Sequence, residues 1–263
     1  MAPYCVIAII NQKGGVGKTT TAINLSACLG YFGFKTLLID ADPQSNSTIG
    51  VGVQPEDYNY TFYNYLLGNY NLSDVVIKTK FTGLYLLPTN DDLYAADIDL
   101  SKIGDDNYNT LASKMGNQIS EYDFIVFDSP PHLGPLTLNI MKASDTLLVP
   151  LKADFLALQG IAILMKTLDR IKINLNAKIN LKGVVLTMFN QSTNLCKEVE
   201  QSVKEVLGDI VFDTKINQNV TLAEAPSFGK PVIYYNFKSS GSENYRLLTA
   251  EFLKRMKIAK RDS

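Results

Sequence analysis

Strand-length apolar runs recur along the chain, and between them lie segments whose apolar residues return every three or four positions. The runs are Tyr4–Ile10, Thr36–Asp40, Leu84–Leu87, Asp123–Asp128, Thr146–Pro150, Leu181–Met188 and Ile210–Phe212. This alternation predicts a mostly parallel, twisted β-sheet flanked by helices on both faces. Helices are expected over Thr19–Phe32, Asn107–Ser120, Phe155–Lys172, Asn194–Leu207 and Glu243–Met256. In the first, Ile23, Ala27 and Tyr31 share a stripe, and Gly33 is placed to end it in a left-handed turn. Gly50–Thr79 is rich in Tyr, Asn and Asp without a clean period, so short helices are expected near Phe62–Leu67 and Leu72–Ile77. There is no internal repeat, low-complexity tract or linker, and residues 1–263 read as one α/β domain. With the first strand starting near residue 4, no N-terminal helix-turn-helix domain is expected.

The first run leads straight into Asn11-Gln-Lys-Gly-Gly-Val-Gly-Lys-Thr-Thr20. Strand, glycine-rich loop and helix start make a phosphate-binding loop. Gly14, Gly15 and Gly17, with Val16 between them, let the backbone turn tightly and aim N–H groups at phosphate oxygens. The helix start at Lys18, Thr19 and Thr20 adds its positive dipole end. Lys18 is expected to reach the β- and γ-phosphates, and Thr19 to bind Mg²⁺. Gln12 stands where the ordinary pattern has its first glycine, and Lys13 adds a second lysine, which is the deviant Walker A form. Two further strands end in acids, at Asp40-Ala-Asp42 and at Asp128. In a parallel sheet all carboxyl ends share one edge, so Asp40, Asp42 and Asp128 are expected near the loop.

Composition narrows the class. Hydrophobic residues make up 46% and charged ones 19%, enough for a sizeable core. The net charge of −1 lacks the basic excess of a typical nucleic-acid binder, so any DNA contact must come from a local patch. Cys5, Cys28 and Cys196 form no Cys-x-x-Cys pair and read as buried thiols of a reducing compartment. No signal peptide or membrane-length apolar run occurs, and a cytoplasmic enzyme is expected. His132, the only histidine, reads as a loop residue, and Tyr58–Tyr70 as a surface-packed insertion.

With these motifs the chain resembles the ParA/Soj group of partition ATPases, relatives of MinD. The resemblance rests on Asn11–Thr21, on Leu38-Ile-Asp-Ala-Asp-Pro-Gln44 and on Asp128-Ser-Pro-Pro-His-Leu-Gly134. It continues through Leu186-Thr-Met188 and Leu222-Ala-Glu-Ala-Pro-Ser-Phe-Gly-Lys-Pro-Val232. It implies a P-loop ATPase using ATP and Mg²⁺ that forms an ATP-dependent homodimer. It further implies non-specific binding to nucleoid DNA, hydrolysis stimulated by a ParB-type centromere-binding protein, and chromosome or plasmid segregation. By resemblance Lys13 crosses the dimer interface to the partner's phosphates, and Asp42 positions the attacking water. Asp40 and Asp128 support the metal through water, while Asn190 and the backbone around Asn217–Asn219 hold adenine.

The chain departs from that group in one region. Asn217 replaces a proline, and Ser192, Gln218 and Thr221 stand where relatives carry arginines, some of which serve DNA contact. DNA binding is therefore expected to use Lys197, Lys204, Lys215, Lys230, Lys238 and Arg246. The basic end Lys254–Arg261 reads as a solvated helix terminus. The alternative is a MinD-like membrane ATPase, for which the stripe Tyr245, Leu248, Phe252 and Met256 would have to face lipid. A cluster-carrying reductase is set aside, because the cysteines lie in core elements.

Overall fold

The computed structural model describes residues 5–104, 107–175 and 180–259. Tyr4 of the first expected strand, and Lys260 and Arg261 of the basic end, lie outside the described residues. Seven strands form one sheet: β1 (Cys5–Ile9), β2 (Thr36–Asp40), β3 (Ile77–Lys78), β4 (Leu84–Leu87), β5 (Phe124–Asp128), β6 (Thr146–Lys152) and β7 (Leu181–Thr187). Their order is β3-β4-β2-β5-β1-β6-β7. Every neighbouring pair is parallel except the β3–β4 edge.

Every residue of β1, β2 and β5 is buried, as expected of strands covered on both sides. Along β1, Ile7 and Ile9 enter one core while Val6 and Ala8 enter the other. The first core is closed by the helices Lys18–Tyr31 and Ser240–Arg255, through Leu25, Leu29, Tyr245, Leu248 and Phe252. The second is closed by Pro135–Ala143, Ala157–Leu175 and Asn194–Leu207, through Ile140, Leu164, Leu168 and Val199. Each such side chain contributes roughly 1.5–3 kcal/mol on burial. Of the stripe that a membrane-facing reading requires, Tyr245, Leu248 and Phe252 are therefore core residues at 2% exposure or less, and Met256 packs half-buried against the same core. Among the described residues no helix is long and apolar enough to cross a membrane.

Several sequence expectations need correction. Ile210–Phe212 makes a single parallel bridge, Val211 to Val184, after a 3₁₀ turn at Gly208–Ile210, and is not a strand. The short helix expected to reach Ile77 stops at Val75, and Ile77 instead starts the antiparallel edge strand. The expected helix Asn107–Ser120 is broken into a 3₁₀ turn, the helix Thr110–Met115 and a second 3₁₀ turn at Gly116–Ile119. Gly116, at φ 37°, is where the helix gives way. The helix Pro135–Ala143 was not foreseen, although Pro135 occupies the first turn, where its missing N–H costs nothing.

Candidate functional site

The sheet order puts β1 between β5 and β6, so the loop leaving β1 lies at the carboxyl edge between two other strand ends. Gly15 (φ 69°) and Gly17 (φ 87°) take left-handed conformations that other residues adopt only with strain. Thr187, closing β7, donates its hydroxyl to the Val16 carbonyl at 2.8 Å and pins the loop from the far side. The Lys18–Tyr31 helix begins with no side-chain cap and no acid in its first turn. Its leading N–H groups are thus left for an anion. Lys18 is only 8% exposed, and its ammonium donates to the Lys13 carbonyl at 3.3 Å. Burial lowers the Lys18 pKa, opposed by the charges of Asp128 and Asp42. A cation held with so little solvation gains strongly from a phosphate.

The acids converge as expected. Asp40 and Asp128 are opposite each other in the β2–β5 register, and both are fully buried. Asp40 Oδ2 accepts from the Thr48 amide and hydroxyl, each at 2.7 Å, and Oδ1 from the Asp42 amide at 3.3 Å. Asp128 Oδ2 accepts from the Ser47 hydroxyl at 2.7 Å, while its Oδ1 has no hydrogen-bond partner among the described residues. Burial raises both carboxyl pKa values. Asp128 raises Asp40 further, and the Ser47 and Thr19 hydroxyls draw Asp128 partly back. Asp42 is half-buried at the mouth, its Oδ1 accepting from the Gln44 amide at 3.0 Å. Of the metal residues expected, Thr19 and Asp128 fit: the orphaned Asp128 Oδ1 is the kind of buried acceptor that a hydrated cation satisfies. Asp40 has both oxygens committed to the backbone and to Thr48, so it braces the segment carrying Asp42.

On the other side of the loop lies a cavity of about 360 Å³. Gly17, Thr20, Thr187, Met188, Asn217 and Asn219 are among its lining residues. Its size and mostly apolar wall suit a purine. Asn217 and Asn219 line it as expected, but Asn190 does not. Asn190 Oδ1 instead accepts from the Ser192 amide (3.0 Å) and hydroxyl (2.7 Å), closing its own turn. Gln218 also lines the cavity, and Thr221 is tied to the Asn219 side chain. Sequence reasoning missed the walls at Leu222 and Tyr245, the braces Ser47 and Thr48, and Asn11. Asn11, Thr187 and Leu222 did carry a visible signal, their places in the quoted Asn11–Thr21, Leu186–Met188 and Leu222–Val232 motifs.

Lys13 behaves unlike Lys18. Its amide donates to Asn11 Oδ1 at 2.9 Å, and Asn11 Nδ2 in turn donates to the Pro150 carbonyl at 2.8 Å. Its ammonium points away from its own loop to Asp154 Oδ2, 2.7 Å away beyond the end of β6. Next to Asp154, Phe155 is 82% exposed and Leu156 48%.

A phosphate loop at the edge of a parallel sheet, with buried acids on one flank and a purine-sized cavity on the other, defines a P-loop nucleotide hydrolase of the deviant Walker A kind. A family profile described as an AAA domain matches residues 4–181. The chain is 41% identical to the chromosome partitioning protein ParA of Caulobacter vibrioides, covering 96% of this chain and 95% of that one. It is also 40% identical to the sporulation initiation inhibitor protein Soj of Bacillus subtilis, covering 94% and 97%. The chain belongs to the ParA/Soj family of partition ATPases. Among solved structures, cobyrinic acid a,c-diamide synthase of Mycobacterium smegmatis, with bound ATP analogue and magnesium, superposes with a TM-score of 0.83. It is 28% identical, over 99% of each chain.

Proposed function

We propose that this ATPase works as a reversible homodimer that closes on ATP and Mg²⁺, binds DNA without sequence preference, and is reset by hydrolysis under a ParB-type partner. Chromosome or plasmid segregation is the output. The observation that carries the reading is the division of labour between the two lysines. Lys18 fills its own loop, while Lys13 turns away from that loop onto Asp154, whose chain neighbours Phe155 and Leu156 are exposed. Exposed apolar residues next to the partner of a cation turned from its own loop suit a second copy of the chain presenting its triphosphate.

Within one site the roles follow from position. The loop amides of residues 14–19 and Lys18 hold and neutralise the phosphates. The Thr19 hydroxyl and, through water, Asp128 would hold Mg²⁺, which would supply charge neutralisation to the phosphates. Asp42 orients the water that attacks the γ-phosphorus, and Asp40 fixes the Asp42 segment. Asn217, Asn219 and their backbone hold the base. Catalysis is chiefly positioning and charge stabilisation.

For DNA, the structure divides the candidate cations. Lys204 and Lys215 are paired with Glu200, at 3.2 and 2.8 Å. Arg246 lies over the Phe237 ring, 4.3 Å from its centroid. Among the described residues no ion pair engages Lys197, Lys230 or Lys238, and these are the cations assigned to phosphate contact. Sedimentation with ATP and Mg²⁺ tests the dimer, which Asp42→Ala is expected to trap and Lys13→Ala to abolish. A mobility-shift assay at low salt with Asp42→Ala and ATP tests the DNA contact. A trapped dimer that shifts no DNA would sink that half of the reading.

A further inference from the structure

We propose that Asp154 clasps Lys13 in the free chain, and that Lys152 takes over the Asp154 carboxylate when Lys13 leaves for a partner's triphosphate. The inference rests on the dimer reading above and adds a release step to it. The Lys13 ammonium is 2.7 Å from Asp154 Oδ2, and Lys152 Nζ stands 3.8 Å from the same oxygen. The two cations therefore compete for one carboxylate, and the nearer one is the lysine that has to act elsewhere.

Asp154 is held firmly enough to serve as a fixed anchor. Its Oδ1 accepts from the Leu156 amide at 3.1 Å, its carbonyl from the Ala157 amide at 2.9 Å, and its own amide donates to the Lys152 carbonyl at 2.8 Å. Those contacts seat it at the start of the Ala157–Leu175 helix and leave Oδ2 for cations. The backbone of Lys13 is tied to the same strand end, through Asn11 to the Pro150 carbonyl. Anchor and cation thus keep a set spacing, and only the flexible lysine stem has to move.

The energetics favour exchange. The side chains of Lys13 and Asp154 are 38% and 25% exposed, so the pair is partly screened and its hold is modest. A triphosphate carries several charges against one on Asp154, and it draws the ammonium away once it is presented from the opposite chain. Lys152, 44% exposed in its side chain, then moves the short remaining distance and prevents a bare carboxylate at the closing face. The clasp therefore opposes closure by a modest amount, which only the phosphates of a bound nucleotide outweigh.

The clean variant is Asp154→Asn, because asparagine keeps the helix-capping acceptor and loses only the charge. In nucleotide-free protein, the acylation rate of the Lys13 amine by an amine-reactive ester, read by peptide mass spectrometry, is expected to rise about 2- to 5-fold. With a non-hydrolysable ATP analogue and Mg²⁺, sedimentation is expected to show tighter dimers, by about 2- to 25-fold, since both chains of a symmetric pair lose a clasp. Lys152→Gln, which likewise removes one cation from each chain, is expected to loosen the dimer by about 2- to 25-fold. Unchanged labelling would overturn the clasp. A looser Asp154→Asn dimer would overturn the release and make Asp154 a support for Lys13 in the closed state. An unaffected Lys152→Gln dimer would overturn the takeover. If wild-type protein itself forms no dimer, the reading under Proposed function fails, and the labelling rates still decide whether the clasp exists.

Discussion

Two residues at equal height on adjacent strands show how the site stores its electrostatics. Asp40 and Asp128 are both buried, burial raises the pKa of each, and the Asp128 charge raises Asp40 further. A carboxyl whose pKa is higher folded than unfolded binds more protons in the native state between those two values. Stability therefore falls as pH rises from the ordinary carboxylate range toward neutrality. Asp40→Asn removes that charge, and the uncharged side chain can still accept from Thr48. The nucleotide-free variant is expected to gain on wild type steadily between pH 5 and pH 8, at up to about 1.4 kcal/mol per pH unit. Melting curves across that range check it, and a difference that shrinks with pH would refute the buried-pair account. ATP hydrolysis should fall in the same variant, because Asp40 Oδ1 accepts from the Asp42 amide.

At the scale of elements, the segment Leu222–Val232 gains a physical role. Gly229 (φ 57°) packs against Gly52 (φ 76°), and a Cβ on Gly229 would meet the Gly52 Cα at 2.5 Å. This backbone-to-backbone contact joins the segment following the cavity wall to the chain just past the helix Asn46–Gly50. That helix carries Ser47 and Thr48, the braces of Asp128 and Asp40. Cavity and acids therefore share a seam at which no side chain fits. Gly229→Ala suffers both the left-handed backbone and the clash, and is expected to cost about 2–4 kcal/mol in denaturant unfolding. Its KM for ATP should rise as well. Gly208→Ala makes a useful control, because Gly208 also has a positive φ (57°) but nothing within 4 Å of its would-be Cβ. Gly208 (ψ −132°) is the more strained backbone for alanine than Gly229 (ψ 41°), so a Gly229→Ala cost no greater than the roughly 1 kcal/mol of a left-handed residue alone would show that the seam adds nothing.

For the molecule as a whole, the question is where 25 basic residues go against 26 acidic ones. Arg255 is spent on structure, donating to the Asp209 and Val211 carbonyls and to Glu251 while stacking 4.1 Å over Phe212. Lys204 and Lys215 are spent on Glu200. If Lys197, Lys230 and Lys238 each neutralise one phosphate, replacing any one by Gln flattens the dimer's log–log salt dependence by about 1.8, two contacts at roughly 0.9 each. Lys204→Gln is expected to leave the slope unchanged. Titrations of labelled duplex between low and physiological salt measure both, and a slope that responds to Lys204 alone would reverse the assignment.

Much of this protein was legible along the chain because the relevant constraints are local. A glycine at positive φ, a lysine after it and an acid closing an apolar strand are each dictated within a few residues. So the loop, six of the seven strands and the convergence of Asp40, Asp42 and Asp128 could be read in advance. The misread elements are those in which local pattern and tertiary context disagree. Ile210–Phe212 is apolar because Val211 and Phe212 are buried, and among the described residues its strand-like contact is a single bridge to Val184. Ile77 continues a helical pattern, yet β4 offers its edge for pairing. Asn190 has the chemistry to hold a base, but its side chain is consumed by Ser192. The pairing of Lys13 with Asp154 joins residues 141 positions apart. The sequence by itself determined that a second lysine stands at the phosphate loop. Only the tertiary structure decided which way its charge points, because that depends on β6 ending beside the loop and presenting a carboxylate there.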